Sequence, residues 1–135
     1  MERPKIVVVL RDDLLPWQEL NVTAFVTSGV VAEHPELIGE PYRDGDGAGY
    51  AAMLGYPVMV MTASGELLGT VRRRAADRGV PISVYTADLF GTGNDVDNRA
   101  AVAAVATGSL DLVGVALAAE RNDVDRIVKG AKLHA

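Results

Sequence analysis

The chain has 135 residues, 49% of them hydrophobic and 23% charged, so it can form the core of one domain spanning residues 1–135. Its formal net charge of −5 disfavours nucleic-acid binding, which requires a basic surface. Cysteine is absent, which excludes disulfides and thiolate nucleophiles. The sequence shows no signal-peptide pattern and no apolar run of about 20 residues, so we expect a cytoplasmic protein that does not enter the membrane.

The first half of the chain alternates between strand and helix patterns. Residues 6–10 (IVVVL) form a continuous apolar run that predicts a buried strand. Residues 16–33 suit one long helix, since they begin with a proline, which is common in a first helical turn. Residues 56–63 predict a second strand. Ser64 is suited to cap the next helix, and Gly79 to end it.

The second half continues this alternation. Two further strands are predicted, at residues 80–87 and 111–119. Each is followed by a helix whose N-cap is one of two neighbouring side chains: Asn94 or Asp95 for the first, and Asn122 or Asp123 for the second. Alternating strands and helices predict a layered α/β domain with four principal strands in a largely parallel sheet.

The first predicted helix has no ionisable side chain between Leu20 and Ala32. A helix on the protein surface normally carries a charged face, so this composition predicts that the helix is covered on more than its sheet side. The second side either lines a cleft or contacts another subunit. We expect a homodimer in which this helix or an apolar strand edge contributes to the contact.

Candidate ligand-binding residues cluster around the expected carboxyl end of the first strand. In open α/β sheets, ligands bind just outside such strand ends. We therefore predict a small-molecule cleft there, with the loop of residues 42–50 at its rim. Its candidate residues are Arg11, Asp12, Trp17, Gln18, Asn21, Asp44, Tyr50 and Asp88. If the cleft is catalytic, Asp12 and Asp88 are the candidate general bases.

Residues 40–54 (EPYRDGDGAGYAAML) suggest a metal loop, a phosphate loop or a turn. A calcium loop counted from Asp44 would require glutamate at its twelfth position, where Gly55 stands. The carboxylates would repel a phosphate. A turn with positive-φ glycines is therefore favoured over a loop that touches a ligand. We expect the segment to fold over the start of the first helix, with Asp46 accepting backbone amide bonds and Tyr50 on apolar surface.

Other possible sites are weaker. The turn FGTGND (90–95) precedes a helix and could hold an anion, although a plain loop is favoured. The run RRR (72–74) indicates a solvated helix face. His34 and His134, the only histidines, lie near a helix end and the chain terminus. We expect no metal site and no cofactor.

Several segments together resemble a known scaffold. They are KIVVVLRDDL, the long helix, YPVMVMTASGELLGTVRRRAADRGVPISVYTAD and LDLVGVALAAERNDVDRIVKGAKL. Over nearly the whole chain they are similar to type II peptidyl-tRNA hydrolase. They resemble more closely a related uncharacterised family, domain of unknown function number 2000. The resemblance implies a three-layer α/β/α sandwich with a four-stranded mixed sheet, often in a homodimer.

The hydrolase's functional residues carry over only in part. The lysine of its G-K-x-A-A-Q stretch corresponds to Leu20, and the histidine of its C-S-H-A segment to Thr27. Its aspartate late in the third strand corresponds to Asp88. Leucine cannot form a charge-assisted hydrogen bond. We therefore expect a small-ligand-binding or non-hydrolytic relative. The alternative is a diverged hydrolase or another small-substrate enzyme with an aspartate general base.

Overall fold

The computed structural model describes all 135 residues. Its strands are β1 (Pro4–Arg11), β2 (Tyr42–Arg43), β3 (Gly49–Tyr50), β4 (Val58–Ala63), β5 (Ser83–Thr86), β6 (Leu112–Glu120) and β7 (Lys132–Leu133). Its helices are α1 (Pro16–Glu33), α2 (Gly65–Asp77), α3 (Asp95–Ala103) and α4 (Arg121–Ile127). A 3₁₀ turn at Ala87–Gly91 links β5 to the loop before α3. None of the helices combines the length and apolar character needed to cross a membrane.

The main sheet is mixed and has five strands in the order β5-β6-β1-β4-β7. Only β1 and β4 pair in parallel, whereas the β1–β6, β5–β6 and β4–β7 pairs are antiparallel. The four predicted strands are present and the sheet is mixed, as the resemblance implied, but it has five strands rather than four, and the expectation of a largely parallel sheet is wrong. An apolar run shows that a strand is buried on both faces, but it does not set the direction in which that strand runs. The added strand, β7, has two residues and is too short to show a periodicity.

The two central strands carry apolar clusters on both faces of the sheet. In β1, Ile6 and Val8 belong to the cluster that contains α1, whereas Val7 and Val9 belong to the cluster that contains α2 and α4. Successive side chains of a strand point to opposite faces, so these helices pack on opposite sides. In β6 this alternation is interrupted by a bulge at Val113, because the residues paired with β5 pass from Gly114 to Leu112.

Helix α1 lies very close to β5 and β6. A Cβ atom added to Gly114 would collide with Val22, and one added to Gly29 would lie 2.5 Å from the Cβ of Ser83. The Ser83 hydroxyl donates a hydrogen bond of 2.5 Å to the Val26 carbonyl oxygen. The two glycines, one on the helix and one on the sheet, therefore permit this approach.

The outward-facing side of α1 is uncovered in the single chain. Only Val22, Val26 and Val30 of this helix are buried, whereas Leu20 on the opposite side is 74% exposed, and Ala24 and Ser28, which follow it at four-residue spacing, are exposed as well. The predicted second cover is therefore not provided by the chain itself. Homodimerisation through this side remains a prediction.

The structure shows three of the predicted helix-boundary residues in their predicted roles. Ser64 Oγ accepts a 3.1 Å bond from the Leu67 amide, and Asn94 Oδ1 accepts a 2.9 Å bond from the Asp97 amide. Gly79 adopts a positive φ of 65° just after α2.

The prediction that Asn122 or Asp123 caps the final helix is wrong. Helix α4 begins at Arg121, with Glu120 as its N-cap residue. The Arg121 amide donates to the Arg3 carbonyl oxygen at 3.0 Å, so contacts with the start of the chain fix this transition directly after β6.

The chain terminus is attached to the start of α1. After β7, the His134 amide donates to the Val60 carbonyl oxygen at 3.0 Å. His134 Nε2 lies 2.5 Å from Glu19 Oε2 on α1. Its bond with the Ala135 carbonyl oxygen and its contact with Glu19 raise the pKa of His134. The position of His134 near the terminus does not indicate this partner, since Glu19 lies 115 residues away in the sequence.

Replacing Gly114 by alanine is expected to destabilise the protein by about 1–3 kcal/mol, because the new methyl group collides with buried Val22. Gly69→Ala on α2 is the matched control, since nothing lies within 4 Å of its added Cβ. Alanine is favoured over glycine inside a helix, so this variant should gain about 0.5–1 kcal/mol. Urea unfolding measures the stability of both variants. A Gly114→Ala variant that is as stable as the wild-type protein would contradict the close approach of α1.

Candidate functional site

A cavity of about 320 Å³ lies between the start of α1 and the segment that joins β5 to α3. We call it the aromatic pocket. Its lining residues are Trp17, Asn21, Phe25, Tyr85, Leu89, Phe90, Thr92, Gly93, Asn94, Asp95 and Asn98.

One wall of the aromatic pocket is a row of side chains on α1. Trp17, Asn21 and Phe25 are spaced four residues apart, so they share one side of the helix. Val22 and Val26 lie next to this row and are buried against the sheet. The close approach of α1 to β5 and β6 therefore sets the position of the wall.

The opposite wall comes from β5 and the 3₁₀ turn that follows it. Tyr85 is only 7% exposed, and its ring centroid lies 5.2 Å from that of Phe90. Trp17 meets Phe90 edge to face at 5.6 Å, and Phe25 meets Tyr85 at 5.8 Å. These distances are typical of favourable aromatic pairs. The four rings form one continuous row that joins both walls.

The polar side of the pocket is partly occupied by internal hydrogen bonds. Asn94 caps α3, and its Nδ2 also donates to Asp97 Oδ2 at 2.9 Å. The Thr92 hydroxyl lies 3.0 Å from the Leu89 carbonyl oxygen and also contacts Asn98 Oδ1. By contrast, the exposed amide of Asn21 has no hydrogen-bond partner in the chain. This amide is therefore available to a ligand.

Two ionisable side chains line the aromatic pocket. Asp95 forms a salt bridge with Arg99, four residues later on α3, and both side chains are largely exposed. Burial raises the pKa of Tyr85, so its hydroxyl stays protonated at neutral pH. No lysine, arginine or histidine is among the lining residues. The pocket therefore presents negative charge and hydrogen-bond donors to a ligand, but no positive charge.

The structure places two of the eight predicted ligand-binding residues, Trp17 and Asn21, in this pocket. Arg11 is bound to two carboxylates instead: its Nε lies 2.6 Å from Asp13 Oδ1, and its Nη1 lies 2.6 Å from Asp111 Oδ1. It links the end of β1 to the start of β6. Asp12 is exposed, and its amide donates to the Ala63 carbonyl oxygen at 3.0 Å.

Gln18 and Asp88 also lie outside the lining. Gln18 Oε1 accepts a 2.9 Å bond from the Leu15 amide, which satisfies a free donor at the start of α1. Asp88 is exposed on the 3₁₀ turn, between residues that do contribute to the pocket or its surroundings. Neither candidate general base, Asp12 or Asp88, therefore faces the aromatic pocket.

The segment predicted to cover α1 forms a separate hairpin, β2–β3, and every residue of 39–51 is exposed. An aspartate does accept the turn's amide bonds, but it is Asp44 rather than Asp46. Asp44 Oδ1 accepts 3.0 Å bonds from the amides of Asp46 and Ala48. Tyr50 donates to Asp44 Oδ2 at 2.7 Å and is 57% exposed. Its predicted packing against the first helix is therefore wrong.

Among the residues that the sequence analysis missed, Phe25, Tyr85 and Phe90 are the most prominent. Phe25 continues the four-residue spacing of Trp17 and Asn21, and this spacing was a usable signal. Tyr85 lies within a predicted strand, and Phe90 in a predicted loop. Neither position indicates which helix its ring will meet. Across the structure, no three histidine, aspartate or glutamate side chains converge in a group that could hold a metal.

Comparison with known proteins places the chain in a family. The sequence profile described as "protein of unknown function (DUF2000)" matches residues 4–135. The chain belongs to this family. A solved structure of the protein of unknown function Atu0240, from Agrobacterium tumefaciens str. C58, is 47% identical to it and has a TM-score of 0.96. The match covers 100% of both chains. No curated protein matches the chain.

This membership confirms the family predicted from the sequence. The match to Atu0240 extends over the whole DUF2000 chain, including the segments that form the aromatic pocket. The names of the family and of that structure state no activity and no ligand.

Replacing Asp44 by alanine should loosen the β2–β3 turn, because the side chain holds two amides and one hydroxyl. Amide hydrogen exchange at Asp46 and Ala48 should accelerate. Asp46→Ala is the matched control, since no bond to its carboxylate is present. Unchanged exchange in the Asp44 variant would contradict this assignment.

The same turn should depend on pH. The hydroxyl of Tyr50 and the amides of Ala48 and Asp46 lower the pKa of Asp44 below its usual value. The bonds therefore stabilise the turn above the unfolded pKa of about 4 and are lost as the pH falls through the lower folded pKa. A carboxyl titration by NMR should show the lowered pKa.

Proposed function

We propose that the protein binds a small molecule whose apolar ring packs in the aromatic pocket. The observation that carries this proposal is the row of four rings from Trp17 to Phe25, which borders an open cavity beside the free amide of Asn21. The cavity of about 320 Å³ is in the range of small-ligand sites. Such sites combine apolar walls with a few polar groups that fix orientation.

The exposure of these rings supports a bound ligand. Trp17 is 55% exposed and Phe25 is 53% exposed, although Tyr85 beneath them is buried. Removing apolar surface from water contributes roughly 25 cal/mol per Å². A flat ring inserted beside Trp17 and Phe90 would cover such surface on both walls. The Asn21 amide would then select a ligand with a hydrogen-bonding group at one edge.

The geometry favours a binding protein over the diverged enzyme. A general base must come within hydrogen-bond distance of the proton that it removes. Asp12 and Asp88 do not line the aromatic pocket, and the carboxylate that does, Asp95, is paired with Arg99. The side chain at the position of the hydrolase lysine is Leu20, which is 74% exposed. We therefore propose that the chain does not hydrolyse peptidyl-tRNA.

We also propose that the chain shares the three-layer α/β/α fold of type II peptidyl-tRNA hydrolase. The separate apolar clusters on the two faces of the sheet support this relationship. One sheet includes strands from both ends of the chain, β1 and β7, which supports a single domain over residues 1–135. We propose in addition that the protein is cytoplasmic and does not bind nucleic acid, and the net charge of −5 supports the second of these two proposals.

The protein is further proposed to form a homodimer through the outward-facing side of α1. That side exposes Leu20, Ala24 and Ser28 and has no charge between Leu20 and Ala32. Two copies related by a twofold axis would therefore bring together identical surfaces without repulsion between like charges.

The proposed site is tested by titrating the protein with benzyl alcohol and recording fluorescence. Trp17 is the only tryptophan, so its emission reports on the pocket alone. We expect a shift to shorter wavelength as the ring is covered, with a dissociation constant of about 1 mM for so small a ligand. Phe90→Leu should weaken binding several-fold, whereas Tyr42→Leu on the exposed hairpin should not. Equal binding by the wild-type protein and both variants would contradict the proposed site.

The dimer is tested by Leu20→Glu, which would place two carboxylates near each other across a twofold contact. Sedimentation should show a shift towards monomer. Val96→Glu on α3 is the matched control, because Val96 is also 74% exposed. A wild-type protein that is monomeric at high micromolar concentration would contradict the proposed contact.

A further inference from the structure

We infer that the ligand of the aromatic pocket is a small organic cation, with an ammonium or similar group next to its apolar part. This inference rests on the proposed function, because it assigns a charge to the ligand of the same pocket. Three features of the pocket support it: the aromatic faces, the single carboxylate and the absence of basic side chains.

The aromatic faces provide the first argument. The face of an aromatic ring is the negative part of its quadrupole and attracts cations, most strongly in tryptophan. Trp17, Phe25 and Phe90 are only partly buried, and all three line the cavity. Phe90 and Tyr85 are tilted by 49° relative to each other, so their rings do not stack face to face. The ring faces of this row therefore point in more than one direction.

The charges around the pocket provide the second argument. Asp95 is its only lining carboxylate, and no cationic side chain lines it. Between residues 81 and 110, the ionisable acidic and basic side chains are Asp88, Asp95, Asp97 and Arg99, which sum to a formal charge of −2. An anionic ligand would be repelled here. The positive end of the α3 dipole is already opposed by Asp95 and Asp97 in its first turn.

The Asp95–Arg99 salt bridge shows how a cation could be accommodated. Both side chains are more than 70% exposed, and exposed pairs of this kind contribute little to stability. A ligand ammonium group can therefore replace Arg99 as the partner of Asp95 without a large cost to the fold. The backbone carbonyl of Asp95 also accepts a long bond of 3.4 Å from Arg99, which would be lost in the exchange.

The charge preference is tested with three probes that share a phenyl ring: benzylammonium, benzyl alcohol and benzoate. Each is titrated against Trp17 fluorescence at neutral pH. Benzylammonium should bind about fivefold more tightly than benzyl alcohol, the gain typical of a cation near exposed aromatic faces. Benzoate should bind more weakly than either probe.

Two variants assign this preference to the pocket. Asp95→Asn should reduce the preference for benzylammonium over benzyl alcohol, whereas Asp46→Asn on the hairpin removes the same charge elsewhere and should not. Arg99→Gln frees Asp95 and should tighten benzylammonium binding about twofold. A gain in affinity cannot result from misfolding, so this variant separates a direct charge effect from damage to the structure.

The outcomes distinguish the two proposals. If benzyl alcohol binds at least as tightly as benzylammonium, or if benzoate binds most tightly, the inference of a cation is wrong while the ring-binding site stands. If none of the three probes changes Trp17 fluorescence at concentrations of about 10 mM, both the site and the inference are wrong. If Arg99→Gln weakens benzylammonium binding, the assigned role of Asp95 is contradicted.

Discussion

The close contact between α1 and the sheet is the constraint on which the rest of the structure depends. At Gly114, on the central strand β6, a side chain would occupy the space taken by Val22. Gly29 allows the same approach from the helix side, and the Ser83 hydroxyl bonds to the Val26 carbonyl oxygen. Protein interiors are packed as densely as organic crystals, so a small displacement of this helix would disturb every contact along it. The row of Trp17, Asn21 and Phe25 moves with the helix.

The polar residues at the end of β1 are held by contacts within the chain. The rule that ligands bind beyond such strand ends assumes that polar side chains there are free. In this protein Arg11 is bound to Asp13 and Asp111, and Gln18 bonds the amide at the start of α1. These contacts join β1, β6 and α1. The open cavity is displaced towards β5, where the rings of Tyr85 and Phe90 meet Trp17.

Local signals explain what the sequence could predict. Helix α1 has the predicted bounds, Pro16 to Glu33, and the caps Ser64 and Asn94 act through hydrogen bonds within three residues. The direction of β6 and the pairing of β7 depend on contacts between distant segments, which periodicity does not encode. The resemblance to the hydrolase suggested a function without tRNA hydrolysis, because Leu20 stands at the position of its lysine, but no sequence pattern brings Phe90 to Trp17. The wall formed by β5 and the 3₁₀ turn was therefore beyond prediction from patterns.

The central claim is that the row of four rings holds a small molecule, and mass spectrometry of the natively purified protein tests it most directly. The account predicts a retained compound with an apolar ring and a positive charge, released on denaturation and depleted in a Phe90→Leu variant. The matched Tyr42→Leu variant should retain it. A native protein that carries an anionic compound, or one retained equally by both variants, would contradict the account.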